Sequence, residues 1–160
     1  MKRKIVAILL VVVSILATTA ISAGATSASR SASNSSLGAT IRSDVWIQTF
    51  ADRDGTGEFQ VTAAYSSTKS AYATPQWVKT AWDFYAIGIS AGVSYKKVSA
   101  SVSGSGYTST SAGSWTNSNG SKTAWWKGRV GGTGLWIYVG LYNTASAFKS
   151  GVTLSTTAKV

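Results

Sequence analysis

The chain contains neither histidine nor cysteine. Those residue types supply the usual proton shuttle near neutral pH, the thiolate nucleophile and the common zinc ligands. Their absence excludes His- or Cys-based triads, ordinary zinc sites and a disulfide framework. Only five acids remain for paired-carboxylate catalysis, and their spacing singles out no acid with its partner: Asp44, Asp52, Asp54, Glu58 and Asp83. We therefore predict a protein that is not an enzyme and holds no cofactor and no metal.

The amino terminus has the features of a secretory signal peptide. Residues 2–4 are all basic, and residues 5–17 are apolar apart from Ser14. That apolar run is shorter than the roughly 20 residues that a helix needs to cross a bilayer. Ala23-Gly24-Ala25 offers the small-x-small pattern of a cleavage site, which predicts cleavage after Ala25 and secretion into the extracellular space. The alternative is an uncleaved amino-terminal anchor.

Acidic residues are absent from the whole segment that follows Asp83. Residues 26–83 carry five basic and five acidic side chains, whereas residues 84–160 carry seven basic ones and therefore a charge of +7: Lys96, Lys97, Lys122, Lys127, Arg129, Lys149 and Lys159. A field of one sign attracts partners of the opposite sign. Outside a cell, the predicted partner is an anionic wall polymer, an anionic lipid or an acidic polysaccharide, and not nucleic acid. The alternative is that the charge serves solubility alone.

The organisation of the chain follows from its composition. Residues 26–40 are small and polar, which predicts a disordered leader or propeptide after the signal peptide of residues 1–25. Residues 41–160 are predicted to form a single β domain, because the 135 residues left after cleavage suit one core better than two.

Hydrophobic residues alternate with a period of two, which is typical of half-buried strands. Strands are predicted at residues 45–50, 58–65, 79–90, 93–104, 123–130, 135–142 and 152–158, with a loop or weak hairpin at 105–121. Both faces of the 79–90 segment are apolar, which indicates a central strand. The fold class is therefore all-β, an antiparallel β-sandwich or small barrel of about seven strands.

One predicted hairpin carries the candidate binding site. Strands 123–130 and 135–142 would be joined by a turn at 131–134, with Val130 opposite Leu135. Cations and aromatic rings would then share one face, which suits cation–π contacts and flat apolar contact with a ligand. The predicted ligand-binding residues are Trp125, Lys127, Arg129, Trp136, Tyr138 and Tyr142. A one-residue shift of register would exchange the two faces and make the rings part of the core.

Two further segments leave alternatives open. Residues 52–58 hold three acids around glycines, a pattern that favours a hairpin turn over a calcium-binding loop because Arg53 interrupts the acids. Residues 93–126 alternate small polar and apolar side chains beside Lys96 and Lys97. This is typical of a surface hairpin, and also of a hairpin that makes peripheral contact with a membrane or inserts into it.

Three short motifs resemble a known family. Ser94-Tyr95, residues 99–102 (Ser-Ala-Ser-Val) and residues 112–115 (Ala-Gly-Ser-Trp) are similar to motifs of the lactococcin 972 class of secreted β-sandwich bacteriocins. The resemblance covers about 20 residues of a chain that is longer than that class and has no histidine. It implies an antibacterial role and no particular functional residue.

Together these observations predict a secreted, non-enzymatic protein that binds an anionic component of a bacterial envelope, as a bacteriocin-like toxin would. The alternatives are an extracellular carbohydrate-binding module, a matrix or structural component, and a hydrolase that uses the acids named above.

Overall fold

The structure is a computed structural model that describes the backbone of residues 25–48, 56–96 and 112–160. Within these ranges it describes the side chains except those of residues 56, 86–96 and 132–138. Seven strands and one short 3-10 helix, Ser70–Tyr72, are present in the described part. The strands are β1 (Ala25–Asn34), β2 (Ala39–Gln48), β3 (Thr56–Ser67), β4 (Trp77–Lys96), β5 (Ala112–Asn117), β6 (Thr123–Lys149) and β7 (Val152–Lys159).

The strands form two antiparallel sheets of four strands, which confirms the predicted all-β sandwich. In the first sheet the order is β1-β2-β3-β6, and in the second it is β7-β6-β4-β5. Strand β6 belongs to both, because its residues 123–131 pair with β3 and its residues 142–149 pair with β4 and β7. At 27 residues it is long enough to pass from one layer to the other.

The predicted hairpin at residues 123–142 is wrong, because β6 runs through it without a turn. Val130 pairs with Gly57 and Tyr95, and Leu135 pairs with Ile89. The glycines at 131, 132 and 134 lie within the strand, where glycine permits a bend as readily as a turn. Irregularities in the pairing with β4 accompany this bend. A bulge changes which residues of a strand face inward. In β6, the buried side chains are therefore at even-numbered positions before the bulge and at odd-numbered positions after it.

The prediction of a disordered leader at residues 26–40 is also wrong. These residues form most of β1, a turn at 35–38 and the start of β2. Gly38 has a positive φ of 54° in that turn, a conformation that favours glycine. Ala28 and Ala32 pack against the core from β1. An edge strand can be ordered by backbone pairing even when it has little apolar surface of its own. The composition of residues 26–40 does not show that β1 pairs with β2 in this way.

The boundaries of β4 and β5 also differ from the predicted ones. The predicted strand at 79–90 and the start of the one at 93–104 belong to one 20-residue strand, β4. It lies between β6 and β5, which confirms the predicted central position. Strand β5 lies within the segment predicted as a loop or weak hairpin. Residues 97–111 lie outside the described residues, as does most of the acidic turn at 52–58.

The core divides into two hydrophobic clusters separated by a buried polar layer. Ser43, Thr80 and Asn143 form this layer, and each lies between residues of the two clusters on its own strand. The Asn143 side chain accepts a hydrogen bond from Thr80 Oγ1 at 2.6 Å and donates to the backbone oxygens of Asp44 and Thr62, both at 3.0 Å. Because Asn143 is in the second sheet and its two backbone acceptors are in the first, the layer joins the two sheets.

Candidate functional site

Three of the six predicted binding residues share an outward face of β6. Trp125, Lys127 and Arg129 alternate with the buried Ala124 and Val130, so they point away from the core. The Trp125 side chain is 50% exposed, and Lys127 and Arg129 are exposed too. We name these three residues the Trp125 strip. Its place on the outer face of the first sheet agrees with the predicted exposure of these side chains.

Acidic residues on the neighbouring strands reduce the positive charge of this face. Lys127 Nζ lies 2.9 Å from Glu58 Oε2, and Glu58 is also directly opposite Arg129 in the pairing of β3 with β6. On β2, Arg42 pairs with Asp44 at 3.0 Å. Ion pairs as exposed as these contribute about 0 to 1 kcal/mol, because water and salt screen them. A competing anion can therefore replace Glu58 as the partner of Lys127 at little cost.

Trp46 lies on the same outer face and was missed by the sequence analysis. Trp46 pairs with Gln60 of β3, and Gln60 pairs with Lys127 of β6. Two strand spacings of about 4.8 Å each therefore separate Trp46 from the Trp125 strip. The signal that could have found it is the alternation of β2, where Ile41, Val45 and Ile47 are buried, and Trp46 falls on the opposite face. The outer face thus carries a second, half-buried indole.

The other three predicted residues do not join the Trp125 strip. Because β6 has no turn, Trp136 pairs with Gly88 and Tyr138 pairs with Ile87, both on β4. The exposure of the Trp136 and Tyr138 side chains lies outside what the structure describes. Tyr142 lies opposite Asp83 on the outer face of the second sheet, on the other side of the sandwich from Trp125.

Tyr142 belongs to a cluster that also contains Tyr85 and Lys159. The Lys159 ammonium lies 4.6 Å from the centre of the Tyr85 ring and 4.9 Å from that of Tyr142, and the two ring centres are 5.0 Å apart. A hydrogen bond with the Tyr142 side chain raises the pKa of Lys159 above its ordinary value. The Tyr85 hydroxyl donates to the Val160 backbone oxygen at 2.8 Å.

Gly140 shows why the Tyr85 ring lies where it does. A Cβ at this position would overlap the Tyr85 ring, so the ring lies directly across the glycine backbone. Tyr85 is the residue of β4 that pairs with Gly140, so the glycine makes room for the ring of its own cross-strand neighbour.

Beside this cluster the second sheet has an open depression of about 470 Å³ on its outer face. We name it the groove. Its lining includes Lys79, Ala81 and Asp83 of β4, with Tyr142 and Thr144 of β6 on one side and Ala112 and Ser114 of β5 on the other.

A stack of tryptophan rings closes the flank of the sandwich between β5 and the first part of β6. Trp82 stacks on Trp126 with ring centres 5.6 Å apart, and Trp115 contacts Trp126 at 5.8 Å. Trp115 is 47% exposed, so the stack leads from the core to the surface. Gly113 allows this arrangement, because a Cβ there would lie 2.5 Å from the Trp82 ring.

Comparisons with known proteins gave no relative: no family model and no curated protein matches the chain. Within the described residues, no group of three acidic side chains is placed to hold a metal ion. None of the helices in the described part is long and apolar enough to cross a membrane.

Proposed function

We propose that this protein is exported, is not an enzyme, and binds an anionic polymer of the bacterial envelope through the Trp125 strip. The observation that carries the proposal is the placement of a half-exposed indole and two cations at alternate positions on one strand face. Alternate residues on a strand are about 6.6 Å apart, so the three groups form a row that an extended polymer can follow.

Each group in the row has a distinct contact to offer. The Arg129 guanidinium can bind a phosphate or carboxylate through two parallel hydrogen bonds, and the Lys127 ammonium acts as a point charge. The Trp125 ring presents a flat apolar surface to a sugar or to the carbon backbone of the polymer. Binding would exchange the weak contact of Lys127 with Glu58 for one with the ligand.

The charge distribution of the chain supports the same proposal. After Asp83 the chain carries seven cations and no acid, so the second half attracts polyanions and speeds encounter with them. The predicted signal peptide would deliver the protein to the envelope, where wall polymers and anionic lipids are the abundant polyanions. Such binding should weaken with salt, since exposed charges are screened beyond about 8 Å at physiological ionic strength.

Co-sedimentation of the secreted chain with purified cell walls tests the proposal, with a second arm that uses walls stripped of their anionic polymer. The double variant Trp125→Ala with Arg129→Ala should raise the apparent Kd about tenfold, which corresponds to ~1.4 kcal/mol. The matched control is Trp115→Ala with Arg30→Ala. It removes one half-exposed indole and one exposed cation away from the Trp125 strip, and should change the Kd less than threefold.

Two results would contradict the proposal. One is no binding to intact walls at low salt, and the other is equal loss of binding in the double variant and its control. Vesicles with and without anionic lipid separate the two possible sources of the anion. Binding to stripped walls that matches binding to intact walls would show that the anionic polymer is not the ligand.

An antibacterial consequence of this binding is part of the proposal, supported by the resemblance to the lactococcin 972 class. It would be measured as growth inhibition by the secreted chain. If the Trp125 strip delivers the protein to its target, the double variant should lose inhibition in parallel with binding, whereas the control should keep both.

A further inference from the structure

The groove on the second sheet has a regular arrangement of small and polar side chains. At its centre Ala81 lies between Ser114 on β5 and Thr144 on β6, which are its neighbours in the register. Asp83 follows on the same face of β4, between Ala112 and Tyr142. The result is a floor of alanine methyl groups with hydroxyl groups on both sides and a ring and a carboxylate at one end.

The size and lining of the groove suit a small polar molecule with an apolar patch. Ligand pockets commonly have volumes of about 300 to 1,000 Å³, and 470 Å³ lies within that range. The carboxylate of Asp83 accepts a hydrogen bond from its neighbour Phe84 N at 2.8 Å and is otherwise turned toward solvent. It can therefore accept further hydrogen bonds from sugar hydroxyls. Ser114 can donate and accept, and Thr144, whose hydroxyl shares a hydrogen bond with Thr157 Oγ1 at 2.9 Å, can still accept one.

The ring at the end of the groove is held in place before any ligand arrives. Tyr142 is fixed by its contacts with Lys159 and Tyr85, and Tyr85 is fixed by Gly140 and by its hydrogen bond to the chain end. A ring that needs no ordering on binding offers its contact surface at a smaller entropic cost. Such a wall suits the flat apolar side of a sugar ring.

The charges of the groove distinguish its ligand from that of the Trp125 strip. Asp83 and Lys79 lie at opposite ends, about 13 Å apart along β4, and Lys159 lies over the Tyr85 and Tyr142 rings, two strand spacings from Asp83 and outside the lining. An anionic group placed beside Asp83 would be repelled by its carboxylate, whereas a neutral sugar would gain hydrogen bonds from Asp83 and Lys79. The alanine floor, Ala81 and Ala112, matches the methyl of an acetamido group better than it matches a hydroxyl.

From these observations we infer that the groove is a second binding site, for a neutral N-acetylated oligosaccharide. The Trp125 strip and the groove lie on opposite outer faces of the sandwich, so a single copy of the protein could hold an anionic polymer on one face and a glycan chain on the other. This inference does not depend on the Trp125 strip, because the two sites share no residue.

Isothermal titration calorimetry of the secreted chain with the tetramer of N-acetylglucosamine tests the inference. A glucose tetramer of the same length lacks the acetamido group and should bind at least fivefold more weakly. The variant Ala81→Tyr places a ring in the groove on an outward strand position that suits an aromatic residue, and should abolish binding.

The variant Asp83→Asn keeps an oxygen that can accept from Phe84 N and should weaken tetramer binding about fivefold. Trp125→Ala is the control and should leave tetramer binding unchanged, just as Ala81→Tyr should leave wall-polymer binding unchanged. Thermal unfolding identifies any variant that fails to fold. If Ala81→Tyr fails to fold, Asp83→Asn still tests the groove. No binding of the tetramer at millimolar concentration, or unaltered binding in both groove variants, would overturn the inference without affecting the Trp125 strip.

Discussion

The two halves of the hydrophobic core fill the space between the sheets in different ways. On one side of the polar layer, three rings meet between the sheets: Phe59 of the first sheet lies 4.8 Å from Phe84 and 6.0 Å from Trp82 of the second. On the other side, five of the ten buried residues of the cluster are alanine, at residues 39, 63, 124, 145 and 147. We call these the aromatic half and the alanine half.

This difference shows how one short sequence can combine a stable interior with a functional surface. The aromatic half continues to the surface, because Trp82 contacts Trp126 and Trp126 contacts Trp115. The Trp125 strip begins on the same stretch of β6, one residue before Trp126. In the alanine half, small side chains leave little volume to fill, so its stability depends on close approach of the two sheets.

The polar layer keeps the two sheets in register. Asn143 donates to backbone oxygens of β2 and β3 and accepts from Thr80, and the Ser43 hydroxyl donates to the Asn143 backbone oxygen at 2.6 Å. Sliding one sheet past the other would leave these buried groups without partners, at a cost of about 1 to 3 kcal/mol each. The layer therefore favours one alignment of the sheets over others.

The largest expected effect comes from removing the central ring of the aromatic half. Phe59 is fully buried, so Phe59→Ala should lower the free energy of unfolding by about 3 to 5 kcal/mol through lost burial and the cavity that remains. Urea denaturation followed by tryptophan fluorescence measures this loss. Phe59→Leu, which keeps most of the volume, should lose less than half as much. Equal losses in the two variants would show that this half depends on the ring contacts of Phe59 and not on the volume that its side chain fills.

The polar layer gives the next largest effect. Asn143→Ala removes three side-chain hydrogen bonds and leaves buried partners unsatisfied, so it should lower the free energy of unfolding by about 3 kcal/mol. The control Thr80→Val removes only the bond to Asn143 Oδ1 and should lose about 1 kcal/mol. If Asn143→Ala were as stable as the original chain, the polar layer would contribute nothing to joining the sheets.

Much of the fold could be predicted from the sequence because period-two alternation reports local burial directly. It predicted a strand at residues 79–90, and the structure confirms a strand there, within β4. It also placed Trp125, Lys127 and Arg129 on one outward face. What it could not provide was pairing, because a strand's partners depend on residues far away in the chain.

The failures have a common physical origin in glycine and serine. Gly131, Gly132 and Gly134 suit a turn and a bent strand equally well, so the bend in β6 was interpreted as a hairpin. Strand β1 is rich in serine and looked disordered, because its stability comes from pairing with β2 and not from its own side chains. The groove was not predicted because it depends on β5 lying beside β4, which nothing in the local pattern indicates.

The smallest expected effect tests the alanine half by filling it. Ala145 is fully buried in the second sheet, so Ala145→Leu would introduce a side chain for which closely approaching sheets leave no room. Overpacking of this kind should lower the free energy of unfolding by about 1 to 3 kcal/mol. The control is Ala64→Leu, which makes the same change on the outer face of β3 and should stay within about 0.5 kcal/mol.

The same pair of variants distinguishes two explanations for the alanine residues. If they are there because the sheets approach closely, only Ala145→Leu destabilises, and Phe59→Ala remains the more damaging change because it empties space that no neighbour can fill. If Ala145→Leu instead stabilised the protein, the alanine half would be underpacked, and the contrast between the halves would be one of packing quality. Close approach is the explanation we expect, because next to this half the Ser43 hydroxyl of the first sheet reaches the Asn143 backbone oxygen of the second at 2.6 Å, and alanines of both sheets share one buried cluster.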